Sequence, residues 1–309
     1  MSVRGKSHEK TDKPCQDSSG NADYKTYSIA VVADGHGGEK YIRSDVGSAI
    51  AVDVAQSAVS AFLKDYNLFV KEFKQRPDEI LSELENCILL NWRKSVEAFD
   101  EANPETDIES AMIDQMQKPP RTLYEKYGTT LVLGVMSKKL SFGIQLGDGD
   151  LVIVRSDLSV ETPIPEDPEC VLNVTASMCQ NNAKDHMRHF YTFDPLYTIA
   201  ASTDGFSTSF NSEESFKRNA LALTSVLKSG TAWDSIKKSL EKRAASNRED
   251  DVSLAMAYQT DIDFDKILER YCKLSGREYT PTPIDSGHAY FLHPITKSNQ
   301  KNCKKYKKH

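Results

Sequence analysis

Long apolar runs are missing from this chain. No stretch approaches the roughly 20 consecutive apolar residues that a membrane-spanning helix needs, and the start Met1-Ser2-Val3-Arg4-Gly5-Lys6 has no apolar core of the secretory-signal kind. These absences predict a cytoplasmic protein with no membrane partner. Cysteine is sparse and unpatterned: Cys15, Cys87, Cys170, Cys179, Cys272 and Cys303 form neither C-x-x-C pairs nor zinc spacing. That scatter fits reduced thiols better than a disulfide framework and gives no zinc site. A basic excess is missing too, since the net charge is −6, which argues against a general nucleic-acid partner. The exception is local. Lys297, Lys301, Lys304, Lys305, Lys307 and Lys308 crowd a tail without acidic residues, and such a tail is expected to be a solvated end.

What is present is enough apolar material for a substantial core, at 39% of 309 residues. Strand-like runs recur at Tyr27 to Ala33, Thr129 to Met136, Leu140 to Leu146, Leu151 to Val154, Leu196 to Ser202 and Val252 to Tyr258. Between them, Ile80, Leu84, Cys87, Ile88, Trp92, Val96 and Phe99 follow three- and four-residue spacing, which predicts a helix that Pro77-Asp78 start and Asn103-Pro104 end. Further helices are expected over about Lys40 to Phe62, around Trp233, Ile236 and Leu240, and over Asp261 to Arg277. Hairpin-like junctions are expected at Ser137-Lys138-Lys139 and at Gly147-Asp148-Gly149. Strands and helices in this order suit an α+β architecture of packed layers. The proline-bearing stretch from Thr162 to Pro195 is expected to be a long excursion beside the fold.

The most informative local feature is Asp34-Gly35-His36-Gly37-Gly38, set directly behind a buried-strand pattern. Glycines on both sides of the histidine let the backbone turn sharply and approach a ligand. Four more acidic stations stand against strand-like runs: Gln16-Asp17, Gly147-Asp148-Gly149-Asp150, Ser202-Thr203-Asp204-Gly205 and Glu249-Asp250-Asp251. Gathered in a fold, aspartates without cysteine partners form a hard, oxygen-rich site suited to Mg²⁺ or Mn²⁺. One carboxylate shared by two such ions would activate a water for attack on phosphorus. An imidazole two residues away is placed to protonate the leaving oxygen.

These motifs, in this order, resemble the PP2C-type metal-dependent protein serine/threonine phosphatases. The resemblance rests on Pro14-Cys15-Gln16-Asp17, Ala33 to Gly38, Gly128-Thr129-Thr130, Gly147-Asp148-Gly149, Ser202 to Phe206 and Asp250-Asp251-Val252-Ser253, and the early Gly5-Lys6-Ser7-His8 is similar to a bacterial branch. It implies a four-layer α-β-β-α sandwich with two central, mostly antiparallel sheets and the metals in a cleft at one end. It further implies a phosphatase domain over residues 1–258, with a helical insertion at about 64–127 and a flap-like excursion at about 162–195, and a C-terminal extension over 259–309.

Carried over by position, Asp34 would bridge two Mn²⁺ or Mg²⁺ ions and the Gly35 carbonyl would bind one of them. Asp204 and Asp250 would hold the other, Asp17 would orient waters, and Asp148 with Asp204 would supply a third, weaker position. His36 matches the general acid, with Asp34 as its catalytic companion. Asp251 stands where the family usually has Asn, and Thr129 and Thr130 match supporting positions. The implied substrates are phosphorylated proteins, in opposition to a serine/threonine kinase. Two departures stand out. Gln16 replaces a common Glu, and Asp12 lies where many members carry a phosphate-binding arginine, which leaves Lys13, Lys10, His8 or Arg4 to meet the phosphate. An inactive module that binds a phosphoprotein or kinase, and hydrolysis of a small phosphorylated metabolite, remain as alternative readings.

Overall fold

The computed structural model describes residues 1–168, 175–227, 232–245 and 249–276; Cys170, Cys303 and the basic tail lie outside them. Among the described residues the strands are β1 (Ser2–Val3), β2 (Ser18–Asp23), β3 (Tyr27–Ala33), β4 (Leu131–Ser137), β5 (Ser141–Leu146), β6 (Asp150–Arg155), β7 (Val160–Glu161), β8 (Arg188–Thr192), β9 (Leu196–Ser202) and β10 (Val252–Tyr258). They form two five-stranded sheets, ordered β1-β10-β9-β6-β7 and β2-β3-β4-β5-β8. Every neighbouring pair is antiparallel. The helices are α1 (Lys6–Thr11), α2 (Ser44–Phe62), α3 (Tyr66–Phe73), α4 (Pro77–Ala102), α5 (Asp107–Gln115), α6 (Asp204–Ser207), α7 (Glu213–Val226), α8 (Ala232–Ala244) and α9 (Phe264–Leu274).

Alternation along each strand sorts the side chains into three apolar layers. In β3, Ile29, Val31 and Ala33 join a cluster with Ala51 and Val59 of α2 and Leu84 and Trp92 of α4. Ala30 and Val32, one residue out of phase, meet Leu151, Ile199 and Ala255 of the opposite sheet. On the far side Val152, Ala200 and Leu254 pack against Leu221, Ile236, Leu240 and Ile267. The result is helix, sheet, sheet, helix, the expected four-layer sandwich.

The long helix α4 shows how directly its sequence acts. Pro77 sits in its first turn with Asp78 and Glu79 beside it, where proline loses no hydrogen bond and acidic groups meet the positive end of the helix dipole. Its stripe places Trp92 fully in the core, and the indole N–H donates to Gly47 O of α2 at 3.0 Å. Emptying that position to alanine removes roughly 3–5 kcal/mol of packing. No single helix among the described residues is long and apolar enough to cross a membrane.

Four expectations need correction. The Gly147-Asp148-Gly149 turn is not a hairpin: it carries the chain from β5 in one sheet to β6 in the other, and Gly147 has the left-handed φ of +96° that this turn requires. A short turn between two apolar runs looks the same in sequence either way. The excursion is partly built into the fold, because β8 pairs with β5 and Ala176, Met178, Cys179, Ala183 and Met187 enter the core. The segment after Tyr258 likewise begins as part of the sandwich, with Phe264 and Ile267 in the outer apolar layer. In α8, Ile236 and Leu240 are buried but Trp233 is exposed.

Candidate active site

Antiparallel pairing gathers the acidic stations at one end of the two sheets. Ser18 pairs with Ala33, so Asp17 before β2 lies beside Asp34 after β3. Val32 pairs with Val132 and Leu131 with Leu146, which brings Thr129-Thr130 and the Gly147 turn to the same end. Asp150 and Leu254 both pair with Ser202. Asp148, Asp204 and Asp250 therefore share that end, each one or two residues outside a strand.

The loop at Asp34 is fixed by its backbone. Asp34 O accepts from Thr130 N at 2.9 Å and from Thr129 Oγ1 at 2.8 Å, while Asp34 N donates to Thr130 Oγ1 at 3.0 Å. Thr129 and Thr130 thus clamp the main chain and leave the Asp34 carboxylate free to face the cluster. A Cβ at Gly35 would lie 2.5 Å from Gln16 O and 2.6 Å from Ser44 O, so only glycine fits there. His36 N donates to Gly128 O at 3.1 Å, and the imidazole tilts against the Tyr41 ring, centroids 4.8 Å apart. Gln16 explains its departure from Glu: its side-chain amide donates to His36 O at 3.2 Å and to the Ser44 hydroxyl, bonds that a carboxylate, an acceptor only, cannot make.

The other aspartates differ in environment. Asp17 is buried and accepts from Thr203 Oγ1 at 2.8 Å. Asp204 opens helix α6. Asp148 is exposed and accepts from Thr175 Oγ1 at 2.6 Å. Asp250, also exposed, accepts from Asp251 N at 2.9 Å. Asp251 is turned to a different task. Buried at 4% exposure, it accepts Gly5 N on Oδ1 and Gln16 N on Oδ2, each at 2.6 Å, and His8 Nδ1 stands 3.0 Å from Oδ2. It ties the N-terminal segment to the start of β10.

Burial pushes the Asp34 carboxyl well above the usual carboxylate range, and the charges of Asp17, Asp204, Asp148 and Asp250 push it further. Asp17 is raised by burial and then by Asp251. Burial takes His36 down to about 4, with Asp148 acting upward and Lys40 downward, so the ring is neutral at neutral pH. Among the described residues no three His, Cys, Asp or Glu side chains form a ready-made chelating group. The donor set nevertheless fits a hard divalent cation: its side chains offer oxygen only, and mutual repulsion of clustered carboxylates is what such a cation relieves.

Of the cations near this end, Arg4 donates to His8 O at 3.0 Å and lies 3.6 Å from Asp12, and Lys10 pairs with Glu249 at 2.6 Å. Lys13 alone among the four basic residues named from the sequence touches the histidine loop, with Nζ 3.3 Å from Gly37 O. Two positions escaped the sequence reading. Thr203, whose hydroxyl joins Asp17 to the backbone of Ser253 at 3.0 Å, carries no signal beyond its place beside Asp204. Arg43, buried at 7% exposure, sits inside what reads as a plain helix start.

A family model described as Protein phosphatase 2C matches residues 4–242. A solved bacterial serine phosphatase is 16% identical, with 85% of this chain and 98% of that chain covered and a TM-score of 0.51. The serine/threonine phosphatase Stp1 from Staphylococcus aureus is 15% identical, with 84% and 93% covered and a TM-score of 0.51. At these identities the likeness is one of fold. No curated protein matches the chain. The family match spans most of the sequence, from the N-terminal segment past every acidic station except Asp250-Asp251, and the chain therefore belongs to the protein phosphatase 2C family, the metal-dependent protein serine/threonine phosphatases.

Proposed function

We propose that this protein hydrolyses phosphoserine and phosphothreonine in cytoplasmic phosphoproteins, opposing a serine/threonine kinase. The observation that carries the reading is the half-buried Asp34 carboxyl, which faces four other carboxylates two residues from an imidazole. Asp34, Asp204, Asp250, Asp17 and Asp148, with the Gly35 carbonyl, would hold two Mn²⁺ or Mg²⁺ ions and a third, weaker one. When bound, such ions supply Lewis-acid activation of the attacking water and charge compensation at the phosphoryl oxygens.

The chain's own groups do the rest. Thr129 and Thr130 hold Asp34 in place through its backbone, and the Gln16 amide with the Ser44 hydroxyl holds the His36 carbonyl. His36, once it has taken up a proton, delivers it to the departing seryl or threonyl oxygen. Lys13, beside Gly37, meets the phosphate dianion as a point charge rather than a bidentate fork. Retention of Asp34, His36, Asp204 and Asp250 at one sheet end favours an enzyme over an inactive binding module.

The test is phosphate release from an aryl phosphate and from a phosphothreonine peptide, with manganese and with chelator. Manganese-dependent turnover of both is expected. Turnover that persists in chelator, or none on either substrate, would overturn the reading.

A further inference from the structure

Between Ser95 and Gln117 the chain has seven acidic residues and no lysine, arginine or histidine. Helix α5 lies in this stretch and buries none of its nine residues. A helix so short is marginal by itself in water, and most short helices are held by burying an apolar face. This one is held by polar bonds. Thr106 and Glu109 form a reciprocal capping box at its start, and Arg43 grips Glu109 with two bonds, Nε to Oε1 at 2.7 Å and Nη2 to Oε2 at 2.9 Å. Arg43 also donates to Asn103 O at 2.7 Å and to Tyr127 OH at 2.8 Å.

The apolar side chains of α5 are left outside. Ile108 and Met112 are 75% and 51% exposed, and residues four apart share one helix face. Glu101 near the end of α4 and Asp107 and Asp114 on α5 itself are exposed, without a basic partner among the described residues, whereas Asp100, Glu105 and Glu109 are engaged by Arg43 and Lys126. The anchor lies next to the catalytic loop. Arg43 N donates to Lys126 O at 2.8 Å, the adjacent Ser44 hydroxyl donates to His36 O at 2.9 Å, and Tyr41 packs on the His36 ring.

We propose that α5 is a docking helix for the protein substrate. Ile108 and Met112 receive an apolar side chain, and Glu101, Asp107 and Asp114 receive flanking lysines or arginines, in the segment beside the phosphorylated residue. The occupant follows from charge: an exposed apolar pair on a stretch of chain with unpaired carboxylates and no basic residue favours a basic partner and repels an acidic one. Methionine suits a surface that adapts to varied apolar side chains. This inference rests on the phosphatase reading, and binding is measured apart from turnover so that the two fail separately.

The experiment uses two fluorescently labelled phosphothreonine peptides with the same phosphosite, one flanked by Leu, Arg and Lys and the other by Gly and Glu. Anisotropy titration of the full chain is expected to show the basic–apolar peptide bound about tenfold more tightly, the size of one good anchor contact. The double variant Ile108→Asp with Met112→Asp should bring the two affinities to within about twofold, while aryl phosphate turnover stays at the parent level. Asp107→Lys with Asp114→Lys should turn the preference toward the acidic peptide, and circular dichroism on both variants checks that the helix persists. Equal affinities in the parent, or a preference that survives in the Ile108/Met112 variant, would overturn the docking role. Absence of aryl phosphate turnover in the parent strikes the phosphatase reading instead and leaves the binding comparison decisive for this one.

Discussion

The hydroxyl of Thr203 donates to Asp17 Oδ2 at 2.8 Å, a bond between residues 186 positions apart in the chain. The same oxygen accepts from Ser253 N at 3.0 Å. One side chain therefore joins the approach to β2, the end of β9 and the start of β10. Thr203→Val keeps the shape and removes both bonds, leaving a buried N–H without a partner. The expected loss is about 2 kcal/mol in denaturant unfolding, whereas Thr203→Ser should restore most of it. Unchanged stability in the valine variant would contradict this role.

Asp34→Asn and Asp204→Asn are expected to cut manganese-dependent hydrolysis by several orders of magnitude. Without metal, Asp34→Asn should make the protein more stable at neutral pH, by about 1 kcal/mol, as substitutions at strained functional sites often do. The sign follows from the raised Asp34 carboxyl: its ionised form is penalised in the fold, so the metal-free parent loses stability as pH rises above the ordinary carboxylate range. Melting curves of the two proteins in chelator at pH 4.5 and pH 7.5 check it. The gap between them should widen at the higher pH.

His36→Ala separates proton delivery from metal binding. A seryl or threonyl oxygen is a poor leaving group and needs the proton, while an aryl oxide leaves without it. Phosphothreonine peptide turnover should fall at least tenfold more than aryl phosphate turnover, with manganese affinity close to the parent's. Equal slowing of both substrates, or collapse of manganese binding, counts against the acid role.

Lys13→Ala should raise KM for both substrates with little change in kcat, since the proposed contact would be to a phosphate dianion present in ground state and transition state alike. Lys13→Arg should recover much of the affinity. A parent-like KM in the alanine variant would remove Lys13 from the site.

His189 gives a pH dependence away from the candidate active site. Its Nδ1 stands 2.8 Å from the buried Glu85 and its Nε2 3.3 Å from Asp78, and the Glu85 bond is the main cause that raises its pKa above the ordinary value. The raised value means that protonated His189 favours the folded state. Its contribution is complete below about pH 6.5, the unperturbed value, and is lost as pH rises through the higher folded pKa. Urea unfolding of the parent and of His189→Gln should therefore differ at pH 5.5 and converge by pH 9.

Much of this was legible in the sequence because apolar periodicity and acidic punctuation coincide. The runs at β3, β9 and β10 match their strands, and the Trp92 stripe fixes α4. What stayed hidden lacked an apolar signal. β2 is Ser-Ser-Gly-Asn-Ala-Asp, an edge strand held by its backbone pairing with β3, and β8 is Arg-His-Phe-Tyr-Thr inside a segment that looks like a loop. Helix α5 buries nothing, so its only mark was the Thr106-x-x-Glu109 capping pattern. At the site, the aspartates were visible, but the difference between Asp250 and Asp251 was not: which of two adjacent carboxylates is consumed by backbone N–H groups depends on Gly5 and Gln16, more than 230 residues earlier.

The turn at Gly147 has a consequence for how activity depends on folding. Because the chain changes sheets there and again before β9, the candidate site is divided by the seam: Asp17 and Asp34 belong to the ends of one sheet, Asp204 and Asp250 to the ends of the other. Neither sheet alone carries a complete set. The site comes into being only when the two sheets dock, and its spacing is set by how closely Ala30 and Val32 meet Ile199 and Ala255. A bulky substitution in that thin inner layer, far from any carboxylate, would wedge the halves apart and silence the enzyme while each sheet remained intact.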